Sequence, residues 1–171
     1  MALCAPTLLT EAHDCSRFRC QHDALNDWLK KRALANNAQR GSRTHVVCDG
    51  ARVVGFYALA AGSIEHEATP KPLTRNMPRP IPAIVLARLA VDLDYQGRGI
   101  GAGLLQDATL RALKAAEEIA ARVLLCHAID EAARSFYLKF GFVRSPIDDL
   151  TLMLDLGKVE QLLRRQVHEP A

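Results

Sequence analysis

The chain reads as a mixed α/β sheet flanked by helices, and three stretches carry that reading. Ala83–Leu93 is an almost continuous apolar run, broken by Arg88 and Asp92, and leads through Gln96-Gly97-Arg98-Gly99-Ile100-Gly101 into a leucine- and alanine-rich helical pattern. Arg122–His127, continuous from Val123 to Cys126, is a second apolar run, followed by a helical pattern over Asp130–Leu138. Such runs are expected of strands buried on both faces, and two strands joined through a helix form a parallel pair. Ahead of them, Thr44–Cys48 and Val53–Ala61 flank Asp49-Gly50, a hairpin signal that adds antiparallel strands.

In chain order, Leu3–Thr10 is apolar enough for a short first strand. His22–Leu34 is an amphipathic helix with Leu25, Trp28, Leu29 and Ala33 on one side; Asp23 is placed to cap its start, and Trp28 is expected to anchor the core. Asn36–Gly41 breaks the pattern and reads as a loop. After the hairpin, Gly62–Pro82 is polar and proline-rich, with neither a repeat nor a clear helix, and connections this long are more often functional than accidental. The central strand and glycine turn lead into a helix from about Ala102 to Ile119, striped by Leu104, Leu105, Ala108, Ala112, Ala115 and Ala116. Asp130 is placed to cap the next helix, Phe140–Val143 begins a return strand, Ser145-Pro146 turns the chain and Leu150–Leu154 is the last strand. Lys158–Arg165 closes the chain as a short helix.

Length and composition narrow the class. A chain of 171 residues is most economically one domain, 1–171, and a hydrophobic fraction of 49% with 24% charged residues is that of an ordinary globular protein. No apolar run approaches the ~18 residues of a membrane span, and the first residues make a poor secretory signal. Cys4, Cys15, Cys20, Cys48 and Cys126 are odd in number and scattered, without a C-x-x-C pair. That argues for reduced thiols, a cytoplasmic protein and no metal site, each cysteine reading as a core or inert thiol before a catalytic one. The net charge is only +3, but Arg17–Arg43 holds seven basic residues (Arg17, Arg19, Lys30, Lys31, Arg32, Arg40, Arg43) against Asp23 and Asp27. Lys71–Arg98 holds five (Lys71, Arg75, Arg79, Arg88, Arg98) against Asp92 and Asp94. Local excesses of this kind suit a polyanionic partner; a solvated basic face is the alternative.

Strand, glycine turn and helix together turn several backbone N–H groups towards one point. The first N–H groups of a helix have no intrahelical partner, and its dipole favours an anion there. Glycines let phosphate oxygens approach the backbone, so Gln96–Ala102 reads as a pyrophosphate cradle, with a merely tight connection as the alternative. The Gly-Lys-Ser/Thr ending of a P-loop is absent, and no acidic residue stands about 20 positions on as a dinucleotide fold requires.

Gln96-Gly97-Arg98-Gly99-Ile100-Gly101 matches (Arg/Gln)-x-x-Gly-x-(Gly/Ala), and the chain here resembles the GNAT acetyltransferases. His127–Phe142, ending in Tyr137-x-x-x-Gly141-Phe142, resembles that family's second signature. A narrower likeness, to the GNAT toxins of bacterial type II toxin–antitoxin systems, runs along most of the chain. It is carried by Phe18-x-Cys20, Leu25-x-x-Trp28-Leu29, Ser42-Arg43-Thr44, Pro78-x-Pro80-Ile81-Pro82, Leu86–Asp92 and His127–Asp130. The resemblance implies a GNAT acyl-CoA N-acyltransferase fold and acetyl-CoA as cosubstrate. It further implies acetylation of the α-amino group of aminoacyl-tRNA, which halts translation. It implies a homodimer, a ribbon-helix-helix antitoxin as partner, and promoter DNA bound only through the antitoxin complex. It also implies that the backbone of Leu89, Ala90 and Val91 polarises the carbonyl and pairs with the pantetheine arm, and that Asp130 and Ser135 contact the cofactor. Many family members carry asparagine where Asp130 stands.

The chemistry can be weighed on its own. An α-amine, with a pKa of about 7.7–8.0, is partly neutral near pH 7, whereas a lysine amine at about 10.4 is not. No carboxylate or histidine base stands beside the motif, which favours the easier amine or a water-relayed proton. Tyr137 is the candidate general acid for the departing thiolate, a packed tyrosine being the alternative. Arg98 is assigned to the pyrophosphate or 3′-phosphate, alongside N–H groups of Gly97, Gly99, Ile100, Gly101 and Ala102. Lys30, Lys31, Arg32, Arg40, Arg43, Arg75, Arg79 and Arg88 are candidates for tRNA backbone contacts, Arg88 equally for ordering the active site. Two other functions compete: a GNAT enzyme acting on a small amine or a protein N-terminus, and a catalytically idle GNAT fold used for binding.

Overall fold

A computed structural model describes residues 3–168. Among them are seven strands, β1 (Thr7–Leu8), β2 (Arg43–Asp49), β3 (Arg52–Ile64), β4 (Ile81–Val91), β5 (Val123–His127), β6 (Val143–Arg144) and β7 (Thr151–Asp155). The helices are α1 (Asp23–Lys31), α2 (Ala33–Ala38), α3 (Lys71–Thr74), α4 (Ile100–Glu118), α5 (Glu131–Lys139) and α6 (Leu156–His168). The strands form one mixed sheet in the order β1-β2-β3-β4-β5-β7-β6. The described residues group into two compact units, residues 3–60 with 86–110 and residues 61–85 with 111–168, and β3, β4 and α4 each contribute to both.

The first unit is built on the β2–β3 hairpin, whose Asp49 pairs with Arg52 across Gly50 at φ +61°, the left-handed conformation that the Asp-Gly signal implies. Its core is aromatic: Phe18 meets Phe56 edge-on at 5.4 Å and Trp28 stacks on Phe56 at 6.1 Å. Trp28 is therefore the core anchor expected of it, with Leu29 and Ala33 buried beside it. Helix α1 is shorter than expected, because Arg32 leaves helical geometry at φ −127° and separates it from α2. Asp23 is its first residue and not its cap; His22 holds the cap position, and its side chain makes no capping bond.

Of the expected loop over Asn36–Gly41, Asn36–Ala38 instead form the second turn of α2, while Gln39–Gly41 are a non-helical connection as expected. Asparagine disfavours helix, but here both asparagines bond beyond the helix, Asn36 to the residue before β2 and Asn37 to β2 itself. Asn36 Oδ1 accepts from the Ser42 hydroxyl, and Asn37 Oδ1 accepts from Thr44 N at 2.8 Å. A Cβ at Gly41 would stand 2.6 Å from the Asn36 side-chain amide, so a larger residue here would displace the side chain that holds Ser42. The first strand is reduced to Thr7–Leu8, with Leu3 joined to Asp49 by an isolated bridge.

In the second unit, Arg122 N donates to Pro82 O at 2.9 Å, so β4 and β5 start side by side and run the same way. Gly62–Pro82 is more ordered than its composition suggests. Strand β3 runs on to Ile64, a 3₁₀ turn covers His66–Ala68, α3 follows, and the Arg79–Pro80 peptide is cis. Leu73 of α3 is buried with Ile64, Ile81, Val123, Leu125 and Met153, and burying this apolar side chain outweighs the weak helix propensity around it. Strand β5 is buried from Val123 to Cys126, as expected. Asp130 caps α5 by accepting from Ala133 N at 2.8 Å, also as expected. The return strand β6 is only two residues long, and α6 extends beyond Lys158–Arg165 at both ends.

Two expectations about the central stretch need correcting. Strand β4 is not buried on both faces throughout: Ile84, Val85 and Leu89 are half-buried and Ala87 is exposed. Helix α4 starts at Ile100, two residues before the expected Ala102, and Ala115 faces solvent instead of joining the buried stripe of Leu104, Leu105, Ala108 and Ala112.

Candidate functional site

The glycine turn lies in the first unit. Gly97 and Gly99 have φ of +76° and +80°, and a Cβ at either would meet nothing within 4 Å. The left-handed backbone makes glycine necessary there, and the open space beside it admits a ligand. The first bond of α4 runs from Gly103 N to Gly99 O at 3.1 Å, so by helix geometry the N–H groups of Ile100, Gly101 and Ala102 have no acceptor in a preceding turn. Unlinked donors at the positive end of a 19-residue helix fit a pyrophosphate. Gly55 on β3 lets this helix start close to the sheet: a Cβ there would stand 3.0 Å from Leu104 and 3.1 Å from Ile100.

Side chains hold the turn in place. Gln96 Nε2 donates to Val91 O at 3.1 Å, folding the turn back on the end of β4. Arg98 Nη2 donates to Asp94 O at 3.1 Å, and its guanidinium lies over the Tyr95 ring at 4.8 Å. Beneath the turn is a network that sequence reasoning missed. Asp92, 1% exposed, accepts from Arg19 N at 3.0 Å and Asp94 N at 2.9 Å and pairs with Arg52 at 3.4 Å. Arg52 also reaches Asp94 at 3.2 Å and lies 5.2 Å from the centre of the Tyr95 ring, whose hydroxyl donates to Asp49 at 2.5 Å. In the sequence these are a strand-ending aspartate, a hairpin arginine and a turn aspartate, with no local pattern to connect them. Leu89, Ala90 and Val91 occupy the last positions of β4, with Ala90 buried.

Tyr137 lies in the second unit, on α5, against Phe136 and Phe142 at ring distances of 5.3 Å. Burial, with a smaller contribution from Cys126, pushes its hydroxyl well above the usual tyrosine range. It therefore stays protonated through the neutral range, as a proton donor must. Asp130 spends one carboxylate oxygen on its capping bond, and Ser135 is exposed on the same helix.

The basic candidates divide between the units. In the first, Lys30, Lys31 and Arg32 are consecutive and exposed at the end of α1, with Lys31 loosely paired to Asp27 at 3.5 Å. Exposed Arg40 and Arg43 flank the turn into β2, where Arg43 donates to Asn37 O at 2.8 Å. Arg88 comes to α1 by stacking on Trp28 at 4.1 Å, and burial pulls its pKa down. In the second, Arg75 is exposed and Arg79 pairs with Glu67 at 3.2 Å.

Comparison with known proteins fits this geometry. Residues 40–144 match the acetyltransferase (GNAT) domain model. The chain is 51% identical over 159 residues to the tRNA-acetylating toxin of Mycobacterium tuberculosis, covering 93% of this chain and 96% of that protein. The fold is similar to that of AtaT complexed with acetyl-methionyl-tRNAfMet, with a TM-score of 0.87 and 28% identity over 95% of this chain and 99% of that one. It is also similar to an AtaT mutant toxin bound to the C-terminus of the antitoxin AtaR and acetyl-CoA, with a TM-score of 0.80 and 27% identity over 94% of this chain and 98% of that one. A domain model spanning most of the chain and a relative sharing half its residues reach one conclusion: this chain belongs to the GNAT acetyltransferase family.

Proposed function

We propose that this chain is a toxin that transfers acetyl from acetyl-CoA to the α-amino group of aminoacyl-tRNA and so blocks translation. The observation that carries the reading is the likeness, along nearly its whole length, to a tRNA-acetylating toxin. Acetyl-CoA supplies an activated acyl group as a thioester. The turn Gln96–Ala102 binds its phosphates through backbone N–H groups, with Arg98 adding charge at the rim. Main-chain atoms of Leu89–Val91 orient the pantetheine arm and polarise the carbonyl, and Asp130 and Ser135 add contacts from α5. Tyr137 gives its proton to the sulfur as the carbon–sulfur bond breaks. The acceptor needs little activation, since an α-amine with a pKa of about 7.7–8.0 is substantially neutral at working pH. Lys30, Lys31, Arg32, Arg40, Arg43, Arg75, Arg79 and Arg88 hold the tRNA backbone.

No helix among the described residues is long and apolar enough to cross a membrane. A cytoplasmic homodimer, neutralised by a ribbon-helix-helix antitoxin that also brings promoter DNA, completes the reading. Its test is the transfer of labelled acetyl to a mixture of charged tRNA, uncharged tRNA, free amino acids and an N-terminal peptide. Label is expected on charged tRNA alone. Replacing Lys30, Lys31 and Arg43 together should raise the KM for charged tRNA, and each lost phosphate contact should lower the salt slope by about 0.7–0.9. Label on peptide or amino acids, with none on charged tRNA, would overturn the reading.

A further inference from the structure

Cys4, Cys15 and Cys48 are far apart in the chain, and all belong to the first compact unit. Leu3 and Asp49 are antiparallel partners, so one step along both strands sets Cys4 opposite Cys48. Cys4 N donates to Cys48 O at 3.4 Å, and Cys4 Sγ approaches the same oxygen at 3.5 Å. Cys4 and Cys15 both lie near enough to Cys48 to raise its pKa, by smaller amounts than burial does. Directly opposed residues of an antiparallel pair have Cα atoms about 4.5–5.5 Å apart, inside the span of about 4.4–6.8 Å that a disulfide bridges. Cys4 is exposed, Cys15 half-buried and Cys48 buried, and all three are free thiols.

We propose that Cys4 and Cys48 form a thiol-oxidation site, which a hydroperoxide closes to a disulfide. Cys4 is the sulfur that an oxidant reaches from solvent. Its thiolate attacks one oxygen of hydrogen peroxide, the O–O bond breaks, and Cys4 becomes a sulfenic acid as hydroxide leaves. The Cys48 sulfur then attacks the Cys4 sulfur, forming the S–S bond and breaking the S–O bond. The Cys48 proton goes to the departing oxygen, which leaves as water. The two thiols together lose two electrons and two protons, and one peroxide becomes two waters. The second step is the slow one. Burial first, then the neighbouring thiols, hold the Cys48 pKa up to about 11, so little thiolate forms near neutrality. Closure ties the N-terminal segment to the end of β2, next to the Asp49 that accepts from Tyr95.

The test treats the whole protein with hydrogen peroxide, blocks remaining thiols by alkylation, digests without reduction and maps the products by mass spectrometry. The expected product is an intramolecular Cys4–Cys48 peptide pair, lighter by two hydrogens, with Cys20 and Cys126 recovered alkylated. Cys4→Ser should abolish the cross-link. Cys48→Ser should stop the reaction at a Cys4 sulfenic acid that a carbon-nucleophile probe traps. Because Cys48→Ser alters a buried position, mapping the unsubstituted protein decides the matter alone. Recovery of both Cys4 and Cys48 alkylated, a disulfide to Cys15, or a bond between two chains would each overturn the proposal. None of these readouts involves acetyl transfer, so the result is independent of the proposed activity.

Discussion

Replacing Gly99 by alanine probes the phosphate cradle, and its neighbour Gly103 supplies the control. Both positions have open space where a Cβ would stand, but only Gly99 has a positive φ. A left-handed conformation costs a residue with a side chain about 1–2 kcal/mol, while losing glycine's freedom in the unfolded chain returns about 0.4–1 kcal/mol. Gly99→Ala should therefore destabilise by about 1 kcal/mol, lowering the melting temperature of a chain this size by only about 2–4 °C. Gly103 lies inside α4, so Gly103→Ala should stabilise by about 0.5–1 kcal/mol. The effects on binding should diverge much further. Relaxing the turn at residue 99 rotates N–H groups away from the phosphates, and each lost hydrogen bond to a charged group is worth about 1.5–3 kcal/mol, or about 10- to 150-fold in affinity. Titration calorimetry with acetyl-CoA, beside thermal melts of all three proteins, measures both quantities. A folded Gly99→Ala protein that binds acetyl-CoA as tightly as the parent would refute the cradle.

Tyr137→Phe should lower the single-turnover rate of acetyl transfer by about 10²–10⁴ while leaving acetyl-CoA affinity unchanged, because the ring and its packing on Phe142 remain. The pH profile supplies a second check. A raised tyrosine pKa keeps the acid form beyond the ordinary value of about 10, so the rate should climb as the amine deprotonates near pH 8 and show no tyrosine-linked fall before pH 10; a descending limb between pH 8 and 9 would count against Tyr137 as the acid. Arg52→Met strands the buried Asp92 charge and should cost about 3 kcal/mol in denaturant unfolding, whereas Asp94→Asn removes only the exposed arm of the network and should cost under about 1 kcal/mol. Equal losses for the two variants would show that Asp92 does not depend on its arginine.

The parts of this protein legible in its sequence are those with local causes. Apolar runs are read one residue at a time, and they located β4, β5 and the hairpin to within a few residues. The glycine turn was legible because a positive φ is a property of a single residue, and the capping of α5 because Asp130 bonds to an N–H three positions away. Other features depend on residues that meet only after folding. The asparagines of α2 read as a loop because their partners, Ser42 just before β2 and Thr44 within it, meet them only after folding. The connection after β3 took helical form because Leu73 found a core to enter. Asp92 and Arg52 are 40 residues apart, and Cys4 and Cys48 are 44. No local spacing relates such pairs. The strand register that apposes them follows from which side chains the sheet buries, and burial belongs to the folded chain as a whole.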